Sequence, residues 1–125
     1  KATITVGVLP KLKVNKTTMM LLFQNLISNA MKFCKNKPVI SIESEQNQNN
    51  TVIKVKDNGI GIDKNVSNRI FDMFSRLNPN DYKGTGIGLS ICKKVIELHQ
   101  GKIWYDSESG KGTTFYFTLG PDSMP

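Results

Sequence analysis

The sequence predicts an α/β fold, a two-layer sandwich with a mixed β-sheet of about five main strands packed on three helices. Three observations predict it. Alternating apolar and polar residues recur in short runs at 2–6, 39–45, 51–57, 102–107 and 113–119. Apolar residues at helical spacing fill 18–34 and 86–99, with a weaker helical stretch at 65–77. No internal repeat and no linker-like stretch divides the 125 residues, so residues 1–125 read as one domain, long enough to bury a proper core.

Taken in order, residues 2–6 and 9–14 form two short β-like runs interrupted by Gly7 and Pro10. Asn15 is placed to cap the helix that follows. That helix buries a stripe of Met19, Leu22, Phe23, Leu26, Ile27, Ala30 and Phe33, and residues 35–38 end it. The runs 39–45 and 51–57 flank a polar tip at 47–50 and so make a hairpin. Beyond a glycine turn and the weak helix, residues 78–83 are polar, contain Pro79 and Asp81, and read as a mobile flap hinged at Gly84 and Gly86. Gly101 stands where the third helix should stop. Two last strands enclose a turn at 108–112.

Composition narrows the class. Apolar content of 38% and charged content of 22% fit an ordinary soluble globular protein. No run of 18 apolar residues is present to span a membrane. The chain opens on Lys1 without an initiator Met or a signal-peptide layout, which reads as a piece of a longer chain. Ser123-Met124-Pro125 reads as a tail. Seventeen basic against ten acidic residues give +7. The lysines are scattered, with small clusters only at 32–37 and Lys93-Lys94, and aromatics do not interleave with them. A stacking platform for nucleic acid is therefore not expected, whereas a small polyanion suits such a surface. Cys34 and Cys92 lack metal-ligand spacing and read as reduced thiols of a cytoplasmic protein, packed against the core.

Three constellations carry candidate chemistry. The first is Asp57-Asn58-Gly59-Ile60-Gly61-Ile62-Asp63, directly after a strand. Two glycines one residue apart let a ligand approach the backbone, and the carboxylate can accept hydrogen bonds from an amino group lying there. Asn-Gly is equally a strong hairpin-turn signal, and the stretch alone does not separate the two. The second is Asn25, Asn29 and Lys32 on the first helix, within a stripe of about 60° beside the apolar one. Asparagine is a poor helix former. Its amide oxygen is a hard, neutral ligand suited to Mg²⁺, and a lysine three residues on suits phosphate; a plain polar helix flank has the same look. The third is Gly84-Thr85-Gly86-Ile87-Gly88-Leu89-Ser90 at a helix start, where free N–H groups and the helix dipole favour phosphate. A Walker A loop ending on Gly110-Lys111 needs glycine at Tyr105 and Ser or Thr at Gly112, and the dinucleotide fingerprint fails at Leu89 and Ile91. No protein-kinase catalytic loop is present. The glycines thus mark either a phosphate site of another design or a simple loop-to-helix junction. Arg76, ahead of the flap, can reach a terminal phosphate as a planar fork.

These pieces in this order resemble the ATP-binding catalytic domain of sensor histidine kinases, within the gyrase, Hsp90, histidine kinase and mismatch-repair ATPase group. Residues 24–33, Gln-Asn-Leu-Ile-Ser-Asn-Ala-Met-Lys-Phe, are similar to the family's N box; residues 57–63 resemble the G1 box, 70–77 the F box and 84–90 the G2 box. The ending at 110–119 matches too, so the resemblance covers nearly the whole chain. It implies the Bergerat-type ATP-binding fold, with ATP and Mg²⁺ as ligands. It implies that Asn29 holds Mg²⁺ against the nucleotide phosphates with Asn25 beside it, and that Lys32 and Arg76 contact phosphates. Asp57 would accept the adenine amino group, with Gly59, Gly61, Ile62 and Thr113 around the base. Gly84, Thr85, Gly86, Gly88 and Leu89 would anchor the lid and turn backbone N–H groups toward the phosphates, and Phe71 and Phe74 would pack its base.

Two departures sharpen what the resemblance implies. Gyrase-type members carry a glutamate four residues before the magnesium asparagine, as a base for water. This chain has Asn25 there, which takes no proton at neutral pH. That favours phosphotransfer over hydrolysis, and counts against the related serine kinases, which tend to carry the glutamate. The single histidine, His99, lies at the end of the third helix and does not resemble a phosphoacceptor box. The implied reaction is transfer of the ATP γ-phosphate to a histidine on a dimerisation domain absent from this chain, with a response regulator downstream. The domain itself is expected to be monomeric, without nucleic acid or direct membrane contact. A serine/threonine kinase of the same group, or a non-catalytic ATP-sensing module, are the alternatives.

Overall fold

A computed structural model describes residues 3–7, 15–32, 34, 37–47, 50–61, 88–108 and 110–119. In chain order these form β1 (Thr3–Val6), α1 (Lys16–Lys32), β2 (Val39–Asn47), β3 (Asn50–Asp57), α2 (Gly88–Leu98), β4 (Ile103–Glu108) and β5 (Gly112–Thr118). The five strands make one mixed sheet in the order β1-β2-β3-β5-β4, with β1 parallel to β2 and every other pair antiparallel. The β2–β3 hairpin closes at Asn47 opposite Asn50, at the polar tip predicted for it. The runs at 9–14, the helix expected at 65–77 and the flap at 78–83 lie outside the described residues.

Alternation decides the faces. On β5, Thr113, Phe115 and Phe117 are buried, and Ile53 and Val55 of β3 and Ile40 and Ile42 of β2 share that face. They meet Leu22, Leu26 and Ala30 of α1 and Leu89, Cys92, Val95 and Ile96 of α2 in one core. Phe23 of α1 sets its ring edge-on to Phe117, centroids 5.8 Å apart. Each large apolar side chain so buried contributes about 1.5–3 kcal/mol, which fixes both helices on one side of the sheet. The opposite face is polar, with Trp104 stacked on Tyr116 and Lys54 paired to Glu45 at 2.9 Å. Cys34 and Cys92 form no disulfide; Cys92 is buried and Cys34 half-buried. Among the described residues no helix is long and apolar enough to cross a membrane.

The helix ends are tied. Asn15 caps α1, its Oδ1 accepting the Thr18 N–H at 3.0 Å. Past α2, Gln100 takes a positive φ of 61°, its N–H bonds to Glu97 O at 3.0 Å and Gly101 N–H bonds to Ile96 O at 2.9 Å, a Schellman stop. The left-handed residue is thus Gln100 and not the glycine. Gly101 is small for a different reason: a Cβ there would stand 1.8 Å from Thr118 O, where the chain enters β4 beside the end of β5. His99 joins the two helices, its Nε2 accepting the Asn15 N–H at 3.2 Å while Nδ1 lies 2.9 Å from Val95 O. Nδ1 therefore carries the ring proton.

Candidate functional site

Asp57 closes β3, opposite Ile40 of β2, and its half-buried carboxylate is built into a corner. Oδ1 accepts two backbone N–H bonds, from Gly59 at 2.8 Å and from Thr113 at 3.2 Å. Oδ2 accepts none among the described residues. Burial pushes the carboxyl above the ordinary carboxylate range, and the Gly59 and Thr113 N–H groups oppose that rise. Oδ1 is thus occupied by the backbone, and among the described residues Oδ2 keeps its acceptor capacity. Gly59 is buried, Gly61 has a positive φ of 82°, and the Asn-Gly pair does not turn a hairpin, because β3 pairs with β2 and β5.

Several contacts that build this corner were not read from the sequence. Asn58 stitches it to the connection after α1: Oδ1 accepts the Val39 N–H at 2.8 Å and Nδ2 donates to Lys37 O at 3.0 Å. Cys34 Sγ lies 3.3 Å from the same Oδ1, so the end of α1 abuts the Asp57 corner. Gly112, with φ 131°, brings β5 against β3 so closely that a Cβ would stand 2.1 Å from Asp57 O. Gly110 N–H bonds to Ile60 O at 2.7 Å. Ser107 Oγ donates to Gly112 O at 3.0 Å, which leaves the Thr113 hydroxyl to donate to Ser107 at 2.9 Å. The available signal was weak: a serine and two glycines around a predicted turn.

The second part of the site is the flank of α1. Asn25 Nδ2 donates to Leu21 O, one turn back, at 2.8 Å, and its Oδ1 faces Gly88 at the start of α2. Asn29, one turn on, is half-buried, and its carboxamide bonds to no other described residue. Lys32 ends the helix exposed. Leu89 is 7% exposed and belongs to the core. The structure therefore gathers Asp57, Gly59 and Thr113 at one point and Asn25 with Gly88 at another, joined by the last turns of α1. Ile62, Arg76, Gly84, Thr85 and Gly86 lie outside the described residues, as do Phe71 and Phe74. A cleft of about 860 Å³ borders a different flank of α1, along Met19, Met20, Phe23, Ile27 and Met31. Its walls are mostly apolar, with Lys16, Gln24, Ser28 and Lys32 also lining it; Lys32 thus borders this cleft, and Asp57 and Asn29 do not.

For a divalent cation, the donor set is informative. The described residues hold no group of three or more His, Cys, Asp or Glu side chains able to bind a metal. A cation here would take its charge balance from a polyanionic ligand, with a neutral oxygen from the protein; a carboxamide such as that of Asn29, which bonds to no other described residue, has the chemistry for it.

The profile of the family described as "Histidine kinase-, DNA gyrase B-, and HSP90-like ATPase" matches residues 14–123. Cyanobacterial phytochrome A of Nostoc sp. is 51% identical over 120 residues, covering 94% of this chain and 16% of the relative. Sensor protein kinase WalK of Staphylococcus haemolyticus is 38% identical over 112 residues, covering 86% of this chain and 18% of the relative. The chain thus spans about a sixth of the length of these curated relatives. Among solved structures, the catalytic domain of histidine kinase ThkA superposes with a TM-score of 0.75 at 28% identity, over 94% of this chain and 77% of that one.

Proposed function

The chain belongs to the histidine kinase-, DNA gyrase B- and HSP90-like ATPase family, as an ATP-binding catalytic domain of the sensor-histidine-kinase type, and from that premise we propose that it delivers the γ-phosphoryl group of Mg²⁺-ATP to a histidine on an adjacent dimerisation domain. The observation that carries the reading is the Asp57 carboxylate, with Oδ1 held by Gly59 and Thr113 and Oδ2 left as acceptor. That geometry suits the exocyclic amino group of adenine, with Gly59, Gly61 and Thr113 packed around the base. Asn29 and Lys32, on the helix whose end abuts the corner, would serve Mg²⁺ and the phosphates. Mg²⁺ would supply charge neutralisation of the phosphate oxygens.

Two features of the chain support transfer to another group over hydrolysis. Asn25 has no basic atom to deprotonate water, and its amide is committed to Leu21 O. His99 is no acceptor candidate, because both ring nitrogens are engaged in joining α1 to α2. With no base at position 25 and His99 engaged, bound ATP would wait for a nucleophile from outside. The reaction partner is then the histidine-bearing helical domain of the same parent protein, with a response regulator consuming the phosphohistidine, on the cytoplasmic side.

Labelled ATP tests this. Alone, the chain should release phosphate negligibly. Mixed with the histidine-bearing domain of its parent, it should give acid-labile, base-stable label on that domain. Steady hydrolysis by the chain alone, or acid-stable label, would contradict the assignment.

A further inference from the structure

Asn25 and Asn29 look alike in sequence, one turn apart on one stripe of α1, but the fold treats them differently. The Asn29 amide bonds to no other described residue, whereas that of Asn25 is braced: Nδ2 donates to Leu21 O at 2.8 Å. The brace turns Oδ1 outward onto the first residue of α2. A Cβ built on Gly88 would stand 3.0 Å from that oxygen, inside the roughly 3.3–3.6 Å of an ordinary C–H···O approach. Neither side gives way freely. Swinging the amide aside breaks the Leu21 bond, and the next residue, Leu89, is buried in the core and holds α2 down. A side chain at residue 88 would therefore compete with Asn25 Oδ1 for the same space.

We infer that Asn25 is a positioning residue, whose braced Oδ1 sets how closely the N-terminus of α2 approaches α1 and so where the first-turn N–H groups of α2 stand toward the phosphates. This rests on the nucleotide reading above and adds a role within it: Asn25 acts through Gly88, and Asn29 is the asparagine that faces the ligand. The contact should matter for the phosphate end alone, since the base corner is built from Asp57, Gly59 and Thr113, with no bond to either residue.

Calorimetric titration of the 125-residue chain with Mg²⁺-ATP and with adenosine tests this as a double-mutant cycle. Gly88→Ala should weaken ATP about tenfold and adenosine less than about twofold. In an Asn25→Ser background, which vacates the space, the same Gly88→Ala change should weaken ATP less than about threefold. An equal loss for ATP and adenosine, or the same ATP penalty in both backgrounds, overturns the inference. Should Gly88→Ala fail to fold, Asn25→Gln replaces it, because the longer amide presses on Gly88 from the other side. It should weaken ATP more than Asn25→Ser does while sparing adenosine, and equal effects of the two overturn the inference. A wild-type chain that binds neither ligand defeats the nucleotide reading itself, and this role with it.

Discussion

At the scale of single residues, Asp57 sets a conflict between binding and stability. Burial raises its folded-state pKa above the ordinary value of 3.8. An acid raised in this way stabilises the fold while protonated, and that contribution is lost as pH rises through the folded pKa. Above it, the ligand-free chain carries a strained charge. Asp57→Asn, which keeps the Oδ1 acceptor for Gly59 and Thr113, should therefore melt higher than wild type at pH 7 in the absence of nucleotide, and the advantage should vanish at acidic pH. Thermal melts across that range check the sign. The same shift predicts that ATP affinity declines on acidification before an ordinary carboxylate would titrate, because the protonated acid is the poorer acceptor.

At the scale of elements, the joint between β3 and β5 organises the site. Gly112→Ala places a methyl group against Asp57 O at a φ of 131°, which no L-residue adopts without strain. It should cost about 2–4 kcal/mol of unfolding free energy, read in a urea titration, and loosen the Thr113 bond to Asp57. The elements themselves were legible because their signals are local: alternation in Phe115 and Phe117, the 3.6-residue stripe Leu22, Leu26, Ala30, and the Asn15 cap. The tie between residues 57 and 113 and that between 15 and 99 were not legible, because periodicity reads neighbours in the chain and these bonds join residues 56 and 84 positions apart. Gly101 was read as a helix stop and Gly112 as part of a turn; both are places where two backbones nearly touch. Asn58 was read as a turn residue and proves to be a stitch between two segments.

For the whole molecule, the two-layer core predicts separate fates for its two thiols. Burial pushes the Cys92 thiol up to about 12, so it stays protonated and shielded between α1 and α2 until the domain opens. A thiol reagent at neutral pH should modify Cys34 alone in the native chain and both cysteines in urea, read by mass spectrometry. Modification of Cys92 without unfolding would mean that the layers separate locally.

The central claim is that the Asp57 corner reads the amino group of adenine, and paired titrations test it most directly. Wild-type chain should bind ATP with a Kd on the order of micromolar. It should reject GTP, whose base presents an oxygen where adenine presents its amino group. Asp57→Asn should lose ATP by about 100-fold or more. Undiminished ATP binding by Asp57→Asn, in a variant that still melts cooperatively, would contradict the account.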